Sequence, residues 1–119
     1  MNNLEFAKHL QERLLGFAKK VNIFCQKLYK LPANRIFADQ LNRSASSIGA
    51  NYIEANESLG KKDFYHKLRI CRKESKESCY WLEIIESSNS SFVIEARMLK
   101  SEADEYLRIF SSVLNKLDN

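Results

Sequence analysis

The chain has 119 residues, 45% hydrophobic and 29% charged, with a net charge of +4 and a pI near 9.0. That length accommodates one domain, 1–119, with a core of its own. Three Gly and one Pro are too few for a loop-rich or disordered protein. No apolar run is long enough to cross a bilayer, and the opening MNNLEFAKH lacks the apolar stretch of a secretion signal, so a cytoplasmic location is expected.

Four segments repeat apolar residues at alternating steps of three and four, an average close to the helical period of about 3.6. The first runs Leu10, Leu14, Phe17, Val21, Phe24, Leu28 and predicts a helix over about residues 3–29. Gly16 lies inside it at a cost of about 1 kcal/mol relative to Ala, and Pro32 forces a stop nearby. The second, Leu41, Ala45, Ile48, Tyr52, Ala55, Leu59, predicts a helix from near Asn34–Phe37 to Glu57. Gly49, beside Ala45 and Ala50, marks a close helix crossing. Gly60 ends that helix or occupies the following turn, and Asp63 is the expected N-cap of the third unless that helix begins one or two residues earlier. The third stripe is Phe64, Leu68, Cys71, Ser75, Ser78, Leu82, Ile85, ending near Glu86. Ser87–Ser91 reads as a turn, with Ser90 or Ser91 capping a fourth helix. Its stripe is Phe92, Ala96, Leu99, Ala103, Tyr106, Phe110, Val113, Leu117, and it runs to about Lys116. Short connections make neighbours antiparallel, so the expected fold is an all-α, up-down-up-down four-helix bundle.

Leu15, Ile23, Ile70, Trp81, Ile84, Ile94 and Ile109 fall outside these stripes. Some belong in flanking core positions. Others are expected to form an apolar strip on the outside, the mark of self-association.

Polar residues also keep helical register. Arg43, Ser47, Asn51, Glu54 and Ser58 form a line on the second helix, and Lys73, Glu74, Lys76 and Glu77 follow Arg69 and Arg72 on the third. Arg43, Ser47, Asn51, Glu54, Lys73, Glu74 and Glu77 are therefore expected to form a structural polar network. Arg43–Glu77 and Lys73–Glu54 are its candidate pairs.

Positive charge is concentrated in two quarters, +4 over residues 1–30 and +2 over 61–90. Arg13, Lys20 and Lys27 recur every seven residues on the first helix, as do Lys62, Arg69 and Lys76 on the third with Arg72 adjacent. Arg13, Lys20, Lys27, Arg69, Arg72 and Lys76 are the candidate phosphate contacts for structured RNA or DNA. Each patch is modest alone but would be summed in an oligomer. No interleaved aromatics or sequence-reading helix pair accompany them, so contacts should be mainly to phosphate. The alternative is a scaffold that binds another protein and no nucleic acid.

Catalysis is the weakest reading. Cys25, Cys71 and Cys79 match no zinc spacing and are expected to be reduced and buried. His9 and His66 do not form the repeated Glu-x-x-His pairs of di-iron bundles, so neither metal nor cofactor is expected.

The run QLNRSASSIGANYIEANES, followed by DFYHKLRICRKESKESCYWLEI, resembles a family of small four-helix bundles. That family is named for the protein encoded within intervening sequences of bacterial 23S ribosomal RNA genes, and it also includes accessory proteins of diversity-generating retroelements. The resemblance is carried by Gln40, Arg43, Ser47-Ile48, Asn51 and Glu54, then by Phe64, Leu68, Lys73-Glu74, Glu77 and Tyr80-Trp81-Leu82, with Leu31-Pro32 at the preceding boundary. Members often carry Asn-Ile-Ala-Glu-Gly where this chain has Asn51-Tyr52-Ile53-Glu54-Ala55. The resemblance implies a barrel-like homopentamer. For the retroelement branch it also implies a basic surface that binds nucleic acid and a reverse transcriptase. Most members have no established activity.

Overall fold

The structure, a computed structural model, describes residues 2–118; the side chains at 117 and 118, including Leu117 of the fourth stripe, lie outside that description. Its four helices are α1 (Asn3–Leu28), α2 (Arg35–Asn56), α3 (Lys61–Ser88) and α4 (Val93–Asp118). Single 3-10 turns at Pro32–Asn34 and Ser90–Phe92 join α1 to α2 and α3 to α4. The molecule measures 44 × 23 × 22 Å. A 28-residue helix is about 42 Å long, so the helices run its whole length side by side as the expected up-down bundle.

The apolar stripes form one core, from Leu10, Leu14 and Phe17 on α1 to Tyr106, Phe110 and Leu114 on α4. Two expected stripe positions are corrected, since α2 ends at Asn56 and leaves Leu59 exposed, and Leu114 rather than the half-buried Val113 is the buried residue of its turn. Side-chain size sets the spacing around it. α2 contributes Ala38, Ser44, Ala45 and Ala55 to the interior, and α3 contributes Cys71, Ser75, Ser78 and Cys79. The backbones of α2 and α3 approach closely along their length, while α1 and α4 stay the farthest apart of the neighbouring pairs. Aromatic rings fill that wider gap. Phe17 meets Tyr106 edge-on at 5.4 Å between centroids, and Phe24 meets Phe92 at 5.9 Å.

Two expected caps are corrected. Asp63 lies in the first turn of α3 rather than capping it. Gly60 is the N-cap, its carbonyl accepting from the Phe64 amide at 3.1 Å, and Asp63 instead places negative charge beside the helix N-terminus. Neither Ser90 nor Ser91 caps α4. Both lie in the 3-10 turn that precedes it, which begins when the Phe92 amide donates to the Asn89 carbonyl at 2.9 Å.

Asn89 instead pins one end of the bundle. Its amide nitrogen donates to Asn34 Oδ1 at 2.9 Å, Asn34 Nδ2 returns a bond to Asn89 Oδ1 at 2.8 Å, and both residues are buried. Each amide also donates to a helix-terminal carbonyl, Asn34 to Leu28 and Asn89 to Ile85.

The expected crossing at Gly49 is present. A Cβ built there would stand 3.4 Å from Leu14 Cβ, whereas one at Gly16 would meet nothing within 4 Å. Gly16→Ala should therefore stabilise the fold by about 0.5–1 kcal/mol through helix propensity. Gly49→Val should destabilise it by roughly 1–3 kcal/mol by forcing α1 from α2. Urea unfolding of the two variants checks both signs.

Candidate nucleic-acid interface

The two groups of candidate cations have different surroundings. On α1, each is paired with a carboxylate of α4. The Arg13 guanidinium donates twice to Glu105, at 3.0 and 2.9 Å, and lies 5.1 Å from the centre of the Tyr106 ring. Lys20 pairs with Glu102, and Lys27 with Glu95 at 3.1 Å. The buried Tyr106 hydroxyl donates to Glu102, so that carboxylate is held from both sides. Glu95 and Glu102 repeat the seven-residue step of Lys20 and Lys27 on an antiparallel helix, and a ladder of ion pairs follows. The first-helix cations thus meet counter-charges that a reading of α1 alone leaves out. The spacing of Glu95 and Glu102 was the available signal. The hydrogen bond from Arg13 holds the Glu105 carboxyl below its ordinary range, and the same bond raises Arg13.

On α3 the cations lie on the outer surface. Arg69, Lys73 and Lys76 are exposed and Arg72 is half-buried. Lys73 stands 3.8 Å from Glu74 of its own helix. Among the described residues, neither Arg72 nor Lys76 has a carboxylate at ion-pair distance. The α3–α4 register is set by Glu83 with Lys100 at 2.6 Å, Glu86 with Arg97 at 3.3 Å, and the Cys79 thiol against Asp104 at 3.3 Å. Continued along the helices, that register brings the exposed Arg108 of α4 level with Lys76. Arg108 itself lies beside Glu105, in a shallow depression of α4 shared with Phe6 of α1.

The polar line on α2 divides into a cross-helix part and a local part. Arg43 donates to Glu74 at 3.3 Å and to Glu77 at 3.1 Å, realising the expected Arg43–Glu77 pair and adding the buried Glu74. Glu54 pairs with Lys67 at 3.7 Å, not with Lys73. The antiparallel register carries Lys73 past Glu54, toward the level of Arg43. Asn51 turns back along its own helix, donating to the Ser47 carbonyl at 2.8 Å, so these two support α2 locally.

The cysteines are free and buried, as expected, and each thiol faces an adjacent helix. Cys25 donates to the Ala38 carbonyl, Cys71 to the Ile48 carbonyl, and Cys79 to Asp104. Burial pushes each thiol up to about 12, far from nucleophilic use near neutrality. Among the described residues, no group of three or more His, Cys, Asp or Glu is arranged to hold a metal ion, and no helix is long and apolar enough to cross a membrane.

Residues 10–112, which include every candidate contact, match the sequence model of the 23S rRNA-intervening sequence protein family. The fold is similar to the crystal structure of a protein of unknown function from the S23 ribosomal protein family of Bacteroides thetaiotaomicron. The TM-score is 0.81 and the identity 27%, over 87% of this chain and 96% of that one. No curated protein matches the sequence.

Arg43→Ala should cost roughly 1–3 kcal/mol, because it removes the strongest partner of a buried carboxylate, and Glu74→Gln in the same background should recover part of that loss. Chemical denaturation of the single and double variants measures both. The Arg13–Glu105 pair adds a pH dependence. Glu105 is lowered in the folded chain, so its contribution is present above the ordinary carboxylate range and is lost as pH falls through its folded value. Thermal melting from pH 6 down to 3 should show Glu105→Gln with a flatter acid limb than the parent.

Proposed function

The chain belongs to the 23S rRNA-intervening sequence protein family, and from that membership we propose a non-enzymatic, self-associating bundle that binds structured RNA or DNA in the cytoplasm. The observation that carries this reading is the asymmetry of ion pairing. Arg13, Lys20 and Lys27 each hold a carboxylate of α4, whereas among the described residues Arg72 and Lys76 hold none. The phosphate-binding face is therefore that of Arg72 and Lys76 on α3, and the α1 cations serve the bundle itself. A mobile backbone phosphate gains little from a cation already paired with a fixed carboxylate.

Self-association is supported by apolar residues on opposite sides of the bundle. On the α2–α3 side Ile36 and Tyr80 are 71% and 58% exposed, beside half-buried Phe37 and Trp81. On the α1–α4 side Ile23, Ile94 and Met98 are 56%, 76% and 69% exposed. The expected outside strip is thus split. Leu15, Ile23 and Ile94 are exposed, while Ile70, Trp81, Ile84 and Ile109 are half-buried. Two unlike patches on opposite faces suit head-to-tail contacts, which close into a ring when the rotation permits; five copies is the number that family membership favours. Each copy in a ring presents the same α3 face, so modest fields add.

The second reading is a scaffold for another protein, favoured by the same exposed apolar residues. Anisotropy titrations of a mixed-sequence RNA hairpin and a DNA duplex at two salt concentrations separate the two. Arg72→Glu should weaken binding about tenfold or more, a loss of about 1.4 kcal/mol, and should flatten the salt dependence. Lys19→Glu, an equal charge change at an exposed position of α1, should weaken it far less. Absence of association at low salt would leave the scaffold. Light scattering gives the copy number, and a monomer would remove the summed-field argument.

A further inference from the structure

The end of the bundle opposite the Asn34–Asn89 pair holds a partly open cavity of about 490 Å³ to which all four helices contribute. It arises from sequence. The α1 stripe begins at Leu10, and the preceding interior position, one helical turn earlier, is the small Ala7, so the last layer lacks a large side chain from α1. The floor is closed by buried Leu10, Tyr52, Leu68 and Phe110. Phe6 and Phe64 form parts of the walls, with Ile109 and Val113 between them. The volume lies within the range of small-molecule sites, which commonly form between the helices of bundles.

The polar groups are few. Asn3 and Asn56 supply amides, and Lys116 is the sole charged residue of the lining among the described residues. Asn56 lies one helical turn beyond Tyr52 on α2, and both line the space. Among the described residues, no carboxylate lines the space. Two helices begin and two end at this level, so their dipoles oppose one another and the side chains set the sign of the field.

We propose that this cavity is a binding site for a small amphipathic acid, with an acyl chain or aromatic ring among the apolar side chains and a carboxylate at Lys116 and the flanking amides. The apolar floor disfavours a fully polar metabolite. Lys116, with no acid beside it among the described lining residues, selects an anionic head over a cationic one. The site is separate from the α3 cations and does not depend on nucleic-acid binding.

Decanoate is the test ligand, titrated calorimetrically into the full-length protein, with decanol as its uncharged counterpart. One saturable site per chain is expected for decanoate. Ala7→Trp, which fills the cavity, should weaken it at least about tenfold. Lys116→Glu, at an exposed position, should weaken decanoate to a similar extent and leave decanol unchanged. If Ala7→Trp does not fold by circular dichroism, the Lys116→Glu comparison decides alone. Absence of saturable binding overturns the proposal, as does decanoate binding that neither substitution reduces. A lower assembly mass for Ala7→Trp with no decanoate uptake by the parent also overturns it, by assigning the cavity to a second copy of the chain.

Discussion

Helix separation, set by side-chain size at each seam, is the constraint from which the rest of this molecule follows. Where α2 meets α1 and α3, the interior holds Gly49, Ser44, Ala45, Cys71, Ser75 and Ser78, and backbones approach closely. Where α1 meets α4, Phe17, Phe24, Phe92 and Tyr106 keep them apart. Only long side chains bridge that wider seam, and Arg13, Lys20 and Lys27 do so against Glu105, Glu102 and Glu95. The packing of the core thereby decides which surface cations are neutralised at the rim.

The close seams carry polar atoms, which is tolerable because those atoms have partners. Ser44 and Ser78 hydroxyls lie 2.9 Å apart across α2 and α3, and both are also tied to backbone carbonyls. Ser75 donates to the Cys71 carbonyl at 2.8 Å, and the thiols of Cys25 and Cys71 donate to carbonyls of α2. Burying a hydroxyl without such a partner costs on the order of 1–3 kcal/mol. Small side chains permit the approach, and satisfied hydroxyls and thiols keep it from being penalised. Trp81 Nε1 is the buried side-chain atom among the described residues that breaks this rule, and it sits beside exposed Tyr80 and Ile36.

The two ends of the bundle are finished differently. One is closed by the reciprocal Asn34–Asn89 amides, which lock the α1–α2 and α3–α4 turns together. The other stops short of a complete apolar layer and keeps an open cavity with a single basic residue at its edge.

Much of the architecture is legible in the chain. The four stripes, the stop at Pro32, the crossing at Gly49, the burial of all three cysteines and the Arg43–Glu77 pair all follow from spacing, because helical period and side-chain size are local properties. Family membership, too, resides in the sequence of α2 and α3 and in the match over residues 10–112. What needed the folded molecule is the pairing between elements distant in sequence. Register places Lys67 rather than Lys73 at Glu54, Arg108 level with Lys76, and Asn34 against Asn89 across 55 positions. The sequence determines which faces of the helices are apolar, since that depends on neighbours three and four residues away. Only tertiary packing decides which charges remain unmatched, since an ion pair depends on the distance between two helices and on their offset along the axis, and neither is encoded in either helix alone.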